Sequence, residues 1–405
     1  MWFKESRRKW VIIGVLWFVH AVYFLVLLTI GTLAPFIQPD LNLTSAQIGL
    51  LLSAVSIGVM AMQIPSGIMS DFLGTKWVLG LGHVLMACTT LAISFTHSYL
   101  AFFLLLILLG IGIGCNQAPS SKAIMVWFPL RGRATAMGLK QTGINMGGIL
   151  ASLLLPAVAL RFHSWRYSYR AAGLLSFLST VLIFAFFQEK ASNPEAPFQV
   201  PFSKKEIFRK LFLDRDFILI CVVGVLLFVI QHCFMTYFFL YFTKALNVSI
   251  YQTGTLLAAA FAIGAAGRMG WSLLSDYVWK GKRKRVLILQ GVIGTVSVLG
   301  LVLLKTHFST GLVYLFVTLF ALTGISWNAV YLTMAAEYPG KDAAGIATGI
   351  VFLISTLGIA IGPPLFGYLV DVTGAYTLSW LFVGFCMAMV ALLSRIQRRE
   401  RTTDE

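Results

Sequence analysis

Three cations stand inside apolar runs where charge is costly: Lys122, Lys140 and Arg268. A charged side chain in such a run faces a cavity or a partner, because burying it in hydrocarbon is destabilising. Lys122 lies seven residues before Pro129, Lys140 seven after Arg133, and Arg268 eight before Asp276. At about 1.5 Å of helix rise per residue, all three sit roughly 10–12 Å in from the ends of their segments. No Asp or Glu accompanies them at that depth. Positive charge without a counter-charge in a low-dielectric setting is poorly stabilised until an anion enters, and the fork of Arg268 suits a carboxylate bidentately. The chemistry these residues predict is reversible capture of an anion. The competing reading, for Lys122 and Lys140 above all, is that the side chain snorkels to the nearby interface.

Amides could complete such a pocket. Asn116 and Gln117 precede Lys122, while Gln141 and Asn145 follow Lys140 one helical turn apart and so share a face. His20 and His232 lie near the middle of apolar runs, where an imidazole could exchange a proton near neutral pH; each also reads as a neutral packing residue. There is no Gly-rich phosphate loop, no His or Cys cluster at metal spacing and no carboxylate pair within the runs. We expect no enzyme, no metal and no cofactor.

The elements that hold these residues are set by composition. Hydrophobic residues make up 58% of 405 and charged residues 11%, and Phe occurs 32 times; soluble chains carry about 25% charged residues. Runs long enough to cross a bilayer recur at about 10–37, 45–70, 76–96, 99–128, 134–161, 167–188, 216–243, 251–275, 285–305, 309–336, 343–371 and 375–395. We expect an all-α membrane protein of twelve transmembrane helices, with the first retained rather than removed as a signal peptide. The five cysteines all fall in these runs and read as small buried hydrophobes.

The net charge of +16 does not imply a nucleic-acid partner, since the basic residues sort by side. Lys4 to Lys9, Lys76, Arg131, Arg133, the stretch from Lys190 to Arg215, the KGKRKR cluster, Lys341 and Arg395 to Arg401 share one face. Only Arg161, Arg166, Arg170, Lys244 and Lys305 take the other, which predicts both termini in the cytoplasm of a cell-membrane protein. The KGKRKR cluster reads as a loop that sets topology and faces anionic lipid.

The chain also repeats itself. GIMSDFLGTK, from Gly67 to Lys76, is nearly echoed by WSLLSDYVWKGKRKR, from Trp271 to Arg285. Gly138 and Gly147 are nine apart, as are Gly349 and Gly358, and small residues there would let helices pack closely. A Pro-rich charged stretch separates six runs from six. The expected organisation is a six-helix bundle over 1–188, a linker over 189–214 and a second bundle over 215–405. Aligned on Asp71 and Asp276, the halves place Gln63 opposite Arg268, so the guanidinium is an addition to the repeat.

These residues resemble the major facilitator superfamily over essentially the full chain. The family's signature loop is approximated by Gly67, Asp71, Gly74 and Lys76, and more loosely by Ser272, Asp276 and the basic run after it, with serine where glycine is expected. The resemblance implies two pseudo-symmetric bundles that alternate access to a central site, a monomer, and gating contacts at Asp71 and Asp276, with Glu337 as a cap or gate partner. It also implies that the first, seventh and tenth helices line the cavity. That nominates Tyr23, Tyr237, Asn328 and Tyr331, with Gln231, Tyr241 and Trp327.

A narrower resemblance rests on PSSKAIMVWFPLRGRATAMGLKQTGINMGG. It is similar to the region joining helices 4 and 5 of anion:cation symporters, and the matching positions are Lys122, Trp127, Phe128, Pro129, Asn145 and Gly147. The resemblance implies a substrate-binding role for Lys122, and Arg268 looks like the arginine that oxalate and monocarboxylate carriers place on a carboxylate. The acids that many proton-coupled members carry in helices 1 and 4 are missing here. The expected function is carriage of a mono- or dicarboxylate or sugar acid, bridged between Lys122 or Lys140 and Arg268. It would run as proton symport or anion exchange. Multidrug or amphiphile efflux by proton antiport is the alternative, disfavoured by the missing intramembrane carboxylate, and a non-transporting membrane sensor is allowed by fold alone.

Overall fold

The computed structural model describes residues 2–128, 130–189, 211–303, 310–338 and 344–397. Each of the twelve expected runs is helical: α1 Arg8–Asp40, α2 Ser45–Gln63, α3 Thr75–Ile93, α4 Tyr99–Trp127, α5 Thr135–Arg161, α6 Trp165–Phe186, α7 Arg215–Ala245, α8 Ile250–Val278, α9 Arg283–Leu303, α10 Gly311–Glu337, α11 Ala347–Thr373 and α12 Thr377–Ile396. A short helix, Pro65–Phe72, prolongs α2 with Pro65 in its first turn, where a missing N–H does no harm. The start of α2 is fixed by a capping box: Thr44 Oγ1 accepts from Gln47 N–H at 3.2 Å and Gln47 Oε1 accepts from Thr44 N–H at 2.9 Å.

The chain divides into two compact units. The first holds everything through α6 together with residues 238–240 and 249–258; the second holds the rest of α7 and α8 with α9–α12. Most of the expected linker lies outside the described residues, except for Glu189 and 211–214. Asp214 Oδ1 accepts from Tyr338 Oη at 2.7 Å, which ties the end of α10 to the start of α7.

Two glycines set how closely the helices approach. A Cβ on Gly147 of α5 would lie 2.1 Å from the Ala21 carbonyl oxygen of α1, and one on Gly358 of α11 would lie 2.3 Å from that of Val225 in α7. Their partners in the sequence repeat, Gly138 and Gly349, have no atom within 4 Å of an added Cβ, so the expectation of close packing holds for one member of each pair. Four cysteines are buried as expected; Cys88 is exposed on α3.

Two helices are broken at matching places. α4 stops at Gly114 and resumes at Gln117, and Pro119 explains it: its ring collides with the carbonyl of Cys115, four residues earlier, and it has no N–H to give. α10 passes through a π-helical turn at Ala321–Ile325 before resuming at Asn328. Interrupted helices of this kind carry binding sites in transporters because they turn polar groups inward at mid-membrane.

Candidate functional site

In the first unit, the half-helix after the Pro119 break meets α1 and α5. Lys140 is 0% exposed and donates to Ser120 Oγ at 3.2 Å and Ser121 Oγ at 3.1 Å. Each serine hydroxyl in turn donates to the Gln117 carbonyl, at 3.1 and 2.8 Å. Among the described residues no carboxylate pairs with Lys140. An ammonium has three donors and two are met here, both by neutral oxygens.

His20 of α1 packs against α5 at Gly143, three residues past this lysine, where an added Cβ would lie 3.1 Å from the His20 Cβ. Its Nδ1 is 2.9 Å from the Leu16 carbonyl, its Nε2 3.3 Å from Gln117 Oε1, and Tyr23 meets its ring edge-on at 5.5 Å between centroids. Asn116, in the break itself, is 1% exposed, and neither amide atom finds a partner among the described residues. The same holds for Gln141 Oε1, while Asn145 is buried one turn further along α5. Lys140 and His20 are thus connected through Ser120, Ser121 and Gln117, and the buried amides of Asn116 and Gln141 lie next to them in sequence.

Lys122 is placed differently. Its Nζ lies 2.6 Å from Asp71 Oδ1 and 2.7 Å from the Ser70 carbonyl. The expectation that it is an unmatched cation beside Lys140 is corrected: its long stem carries the ammonium toward the helix end, as snorkelling lysines do. A cavity of about 290 Å³ opens there, with Asp71, Gly74, Lys122, Trp127 and Glu189 in its wall. Gly74 has φ +88°, where a side chain would be strained, and so turns the chain sharply into α3. Gly67 faces Ala118 at ordinary contact distance, 3.6 Å from an added Cβ. Lys76 contributes its backbone: Glu189 Oε1 and Oε2 accept from Thr75 N–H at 2.9 Å and Lys76 N–H at 2.8 Å. The sequence reading missed Glu189; the only signal was an acid just past the sixth run.

The second unit has a matching set of ion pairs with different parts. Arg283 pairs with Asp276, donates to Ser275 Oγ at 2.9 Å and reaches Glu337 at 3.2 Å. Asp276 and Glu337 thus converge on one guanidinium, which the reading of KGKRKR as a topology-setting loop had left without a task of its own. Arg268 is half-buried on α8. Its neighbours are set against the broken part of α10: Gly267 packs on Leu322 and Ser326, and Trp271 donates to the Leu322 carbonyl. Asn328 Oδ1, just past the break, is buried without a partner among the described residues.

Two tyrosines expected in the cavity are pins instead. Tyr237 donates to the Pro363 carbonyl at 2.8 Å and stacks on Phe366, and Tyr331 donates to the Ile220 carbonyl at 2.8 Å. Both are 0% exposed, so their hydroxyls are spent on the bundle's own backbone. His232 stacks on Phe228 and bonds its carbonyl through Nδ1 at 2.9 Å.

Comparison with known proteins gives a consistent picture. The family model described as Major Facilitator Superfamily matches residues 16–363. The hexuronate transporter of Bacillus subtilis (strain 168) is 28% identical over 394 residues, covering 94% of this chain and 92% of that protein. The probable galactarate/D-glucarate transporter GudP of the same organism is 24% identical over 424 residues, covering 96% and 92%. A solved bacterial homologue of the human lysosomal transporter Spinster, inward-facing and unoccupied, superposes with a TM-score of 0.81 at 16% identity, covering 98% of this chain and 99% of that one, a likeness of fold.

Proposed function

Because this chain belongs to the Major Facilitator Superfamily, its helices build a membrane transporter and not an enzyme, and we propose that its cargo is a small organic anion, in the first instance a sugar acid. The observation that carries this reading is Lys140: a fully buried ammonium whose hydrogen-bond partners are two serine hydroxyls. Such a charge is stabilised when a carboxylate arrives, and the carboxylate gains a charge-assisted hydrogen bond in a setting of low dielectric. The unpartnered amide atoms of Asn116 and Gln141, with Asn145 near them, suit the hydroxyls of a sugar acid. Arg268 and Asn328 are the candidates in the second unit. The names of the two relatives, hexuronate and galactarate/D-glucarate transporters, point to the same substrate class.

In this reading Asp71 with Lys122, and Asp276 with Arg283 and Glu337, hold the two gates at the basic ends of the bundles. The protein works as a monomer in the cell membrane with both termini inside, by proton symport or anion exchange. The test is uptake of radiolabelled D-galacturonate, D-glucarate and D-galactonate into proteoliposomes. Uptake of at least one is expected, lost in Lys140→Met and in Arg268→Ala protein that inserts and folds. Wild-type rate and affinity in both variants would overturn the assignment of the site, and uptake of hydrophobic cations alone would replace the anion reading.

A further inference from the structure

We propose that His20 is the proton-binding group of this carrier, loaded when an anion neutralises Lys140; this rests on the anion reading above. Both nitrogens of His20 face oxygen: Nδ1 the Leu16 carbonyl and Nε2 the side-chain oxygen of Gln117. A neutral imidazole donates from one nitrogen only, whereas an imidazolium donates from both. With Gln117 presenting its oxygen, the pair of contacts can accept the protonated ring. In the neutral ring Nδ1–H keeps the bond to Leu16, and Gln117 must turn its amide so that NH₂ donates to Nε2. Protonation at Nε2 is thus matched by a half-turn of one amide.

What opposes that proton is also on hand. Lys140 of α5 reaches His20 through a short chain of contacts: it donates to Ser120 and Ser121, both hydroxyls donate to the Gln117 carbonyl, and the Gln117 side chain faces His20 Nε2. His83 of α3 is the other titratable group near the ring, and Tyr23 touches its edge from α1 itself. Lys140 and imidazolium are like charges in a buried space, so the empty carrier disfavours holding both. Burial of the ring opposes the proton as well, and a carboxylate on Lys140 answers both, since it cancels the repulsion and gives the buried imidazolium a counter-charge. His83 is no rival: it is 1% exposed, and neither nitrogen has a hydrogen-bond partner among the described residues to support a second proton. Charge balances simply: one monocarboxylate and one proton bind, and both leave together, so the carrier returns unchanged.

The repeat shows that this arrangement is an addition. Aligning Gly147 on Ala21 with Gly358 on Val225 places Leu16 opposite Ile220, His20 opposite Gly224 and Lys140 opposite Val351. Aligning the helix breaks places Ser120 opposite Tyr331. In the second unit the Ile220 carbonyl is therefore met by the Tyr331 hydroxyl, which fills the space over Gly224, where an added Cβ would lie 2.0 Å from it. One half has a neutral plug; the other has an imidazole beside an ammonium.

The experiment is calorimetric titration of the purified full-length protein with D-galacturonate, D-glucarate and D-galactonate in buffers of different ionisation enthalpy, across pH. For wild type we expect uptake of up to one proton per anion bound, and a Kd that rises about tenfold per pH unit once the free site is deprotonated, as linkage of one proton requires. His20→Asn and His20→Gln should bind with no proton uptake and a flat pH profile, and His83→Gln should behave as wild type. Gln117→Glu, whose carboxylate holds His20 charged throughout, should also lose the uptake and covers the case in which the His20 variants fail to fold. Proton uptake that persists without His20, or in Gln117→Glu, overturns the proposal. So does wild type binding an anion with no uptake, an outcome that leaves the anion reading standing. Wild type binding none of the carboxylates removes both.

Discussion

Replacing Lys140 by Met should abolish substrate binding and yet make the empty protein more stable. The ammonium is 0% exposed, and its neighbours within bonding distance are the hydroxyls of Ser120 and Ser121. Taking an ion of this size out of water costs several kcal/mol even after relaxation, and two hydrogen bonds from a charged donor return about 1.5–3 kcal/mol each at best. Met has nearly the same length and no charge. The serines are not orphaned by the change, since both hydroxyls still donate to the Gln117 carbonyl. The expected net gain lies in the range of about 1–4 kcal/mol seen when buried ions give way to apolar side chains. Thermal unfolding in detergent reads both halves of the prediction. Without ligand the variant should melt several degrees above wild type. With a saturating sugar acid at 100 times its Kd, wild type should gain about 2.7 kcal/mol and the variant nothing. A Lys140→Met protein that melts well below wild type would show that the ammonium is a structural tie, and the reasoning from its unmet charge would fall.

Three other perturbations separate packing from function. Gly147→Ala forces a Cβ to within 2.1 Å of the Ala21 carbonyl and should destabilise by about 1–3 kcal/mol, whereas Gly138→Ala meets nothing within 4 Å and should stabilise its helix by about 0.5–1 kcal/mol; equal losses in thermal melts would contradict the helix contact. Glu189→Ala removes the acceptor for the first two N–H groups of α3 and should cost about 1 kcal/mol in the same melts, with Glu189→Gln recovering part of it, and no change would show the cap to be idle. Lys122→Met should slow uptake at saturating substrate while leaving the anion Kd intact, because its partner is Asp71; loss of affinity with an unchanged saturating rate would return Lys122 to the substrate.

The twelve helices and their duplication were legible because a bilayer demands long apolar runs, and such runs leave little else to read. That Lys140 stands within an apolar run was legible for the same reason, and it is buried. Lys122 was not, since four methylenes let its ammonium end more than a turn from its Cα, and only the position of Asp71 decides where it goes. Tyr237 and Tyr331 were assigned to the cavity by helix, but the direction of a ring around a helix depends on neighbours such as Gly224 that make room for it. Arg283 was hidden by its own surroundings: in a run of five basic residues nothing local marks the one that meets two acids. The α4 break was readable from Pro119 alone, by asking which carbonyl its ring would strike.

Glu189 lies just past the end of α6, and its carboxylate is fastened to the first turn of α3. That fastening joins the end of α6 to the turn that opens α3. Two hydrogen bonds, from the N–H groups of Thr75 and Lys76 at the foot of the sharp turn made by Gly74, hold the two helices together beside Asp71. A change at residue 189 therefore reaches the cavity that holds the Asp71–Lys122 pair from a third helix, with both members of the pair left in place.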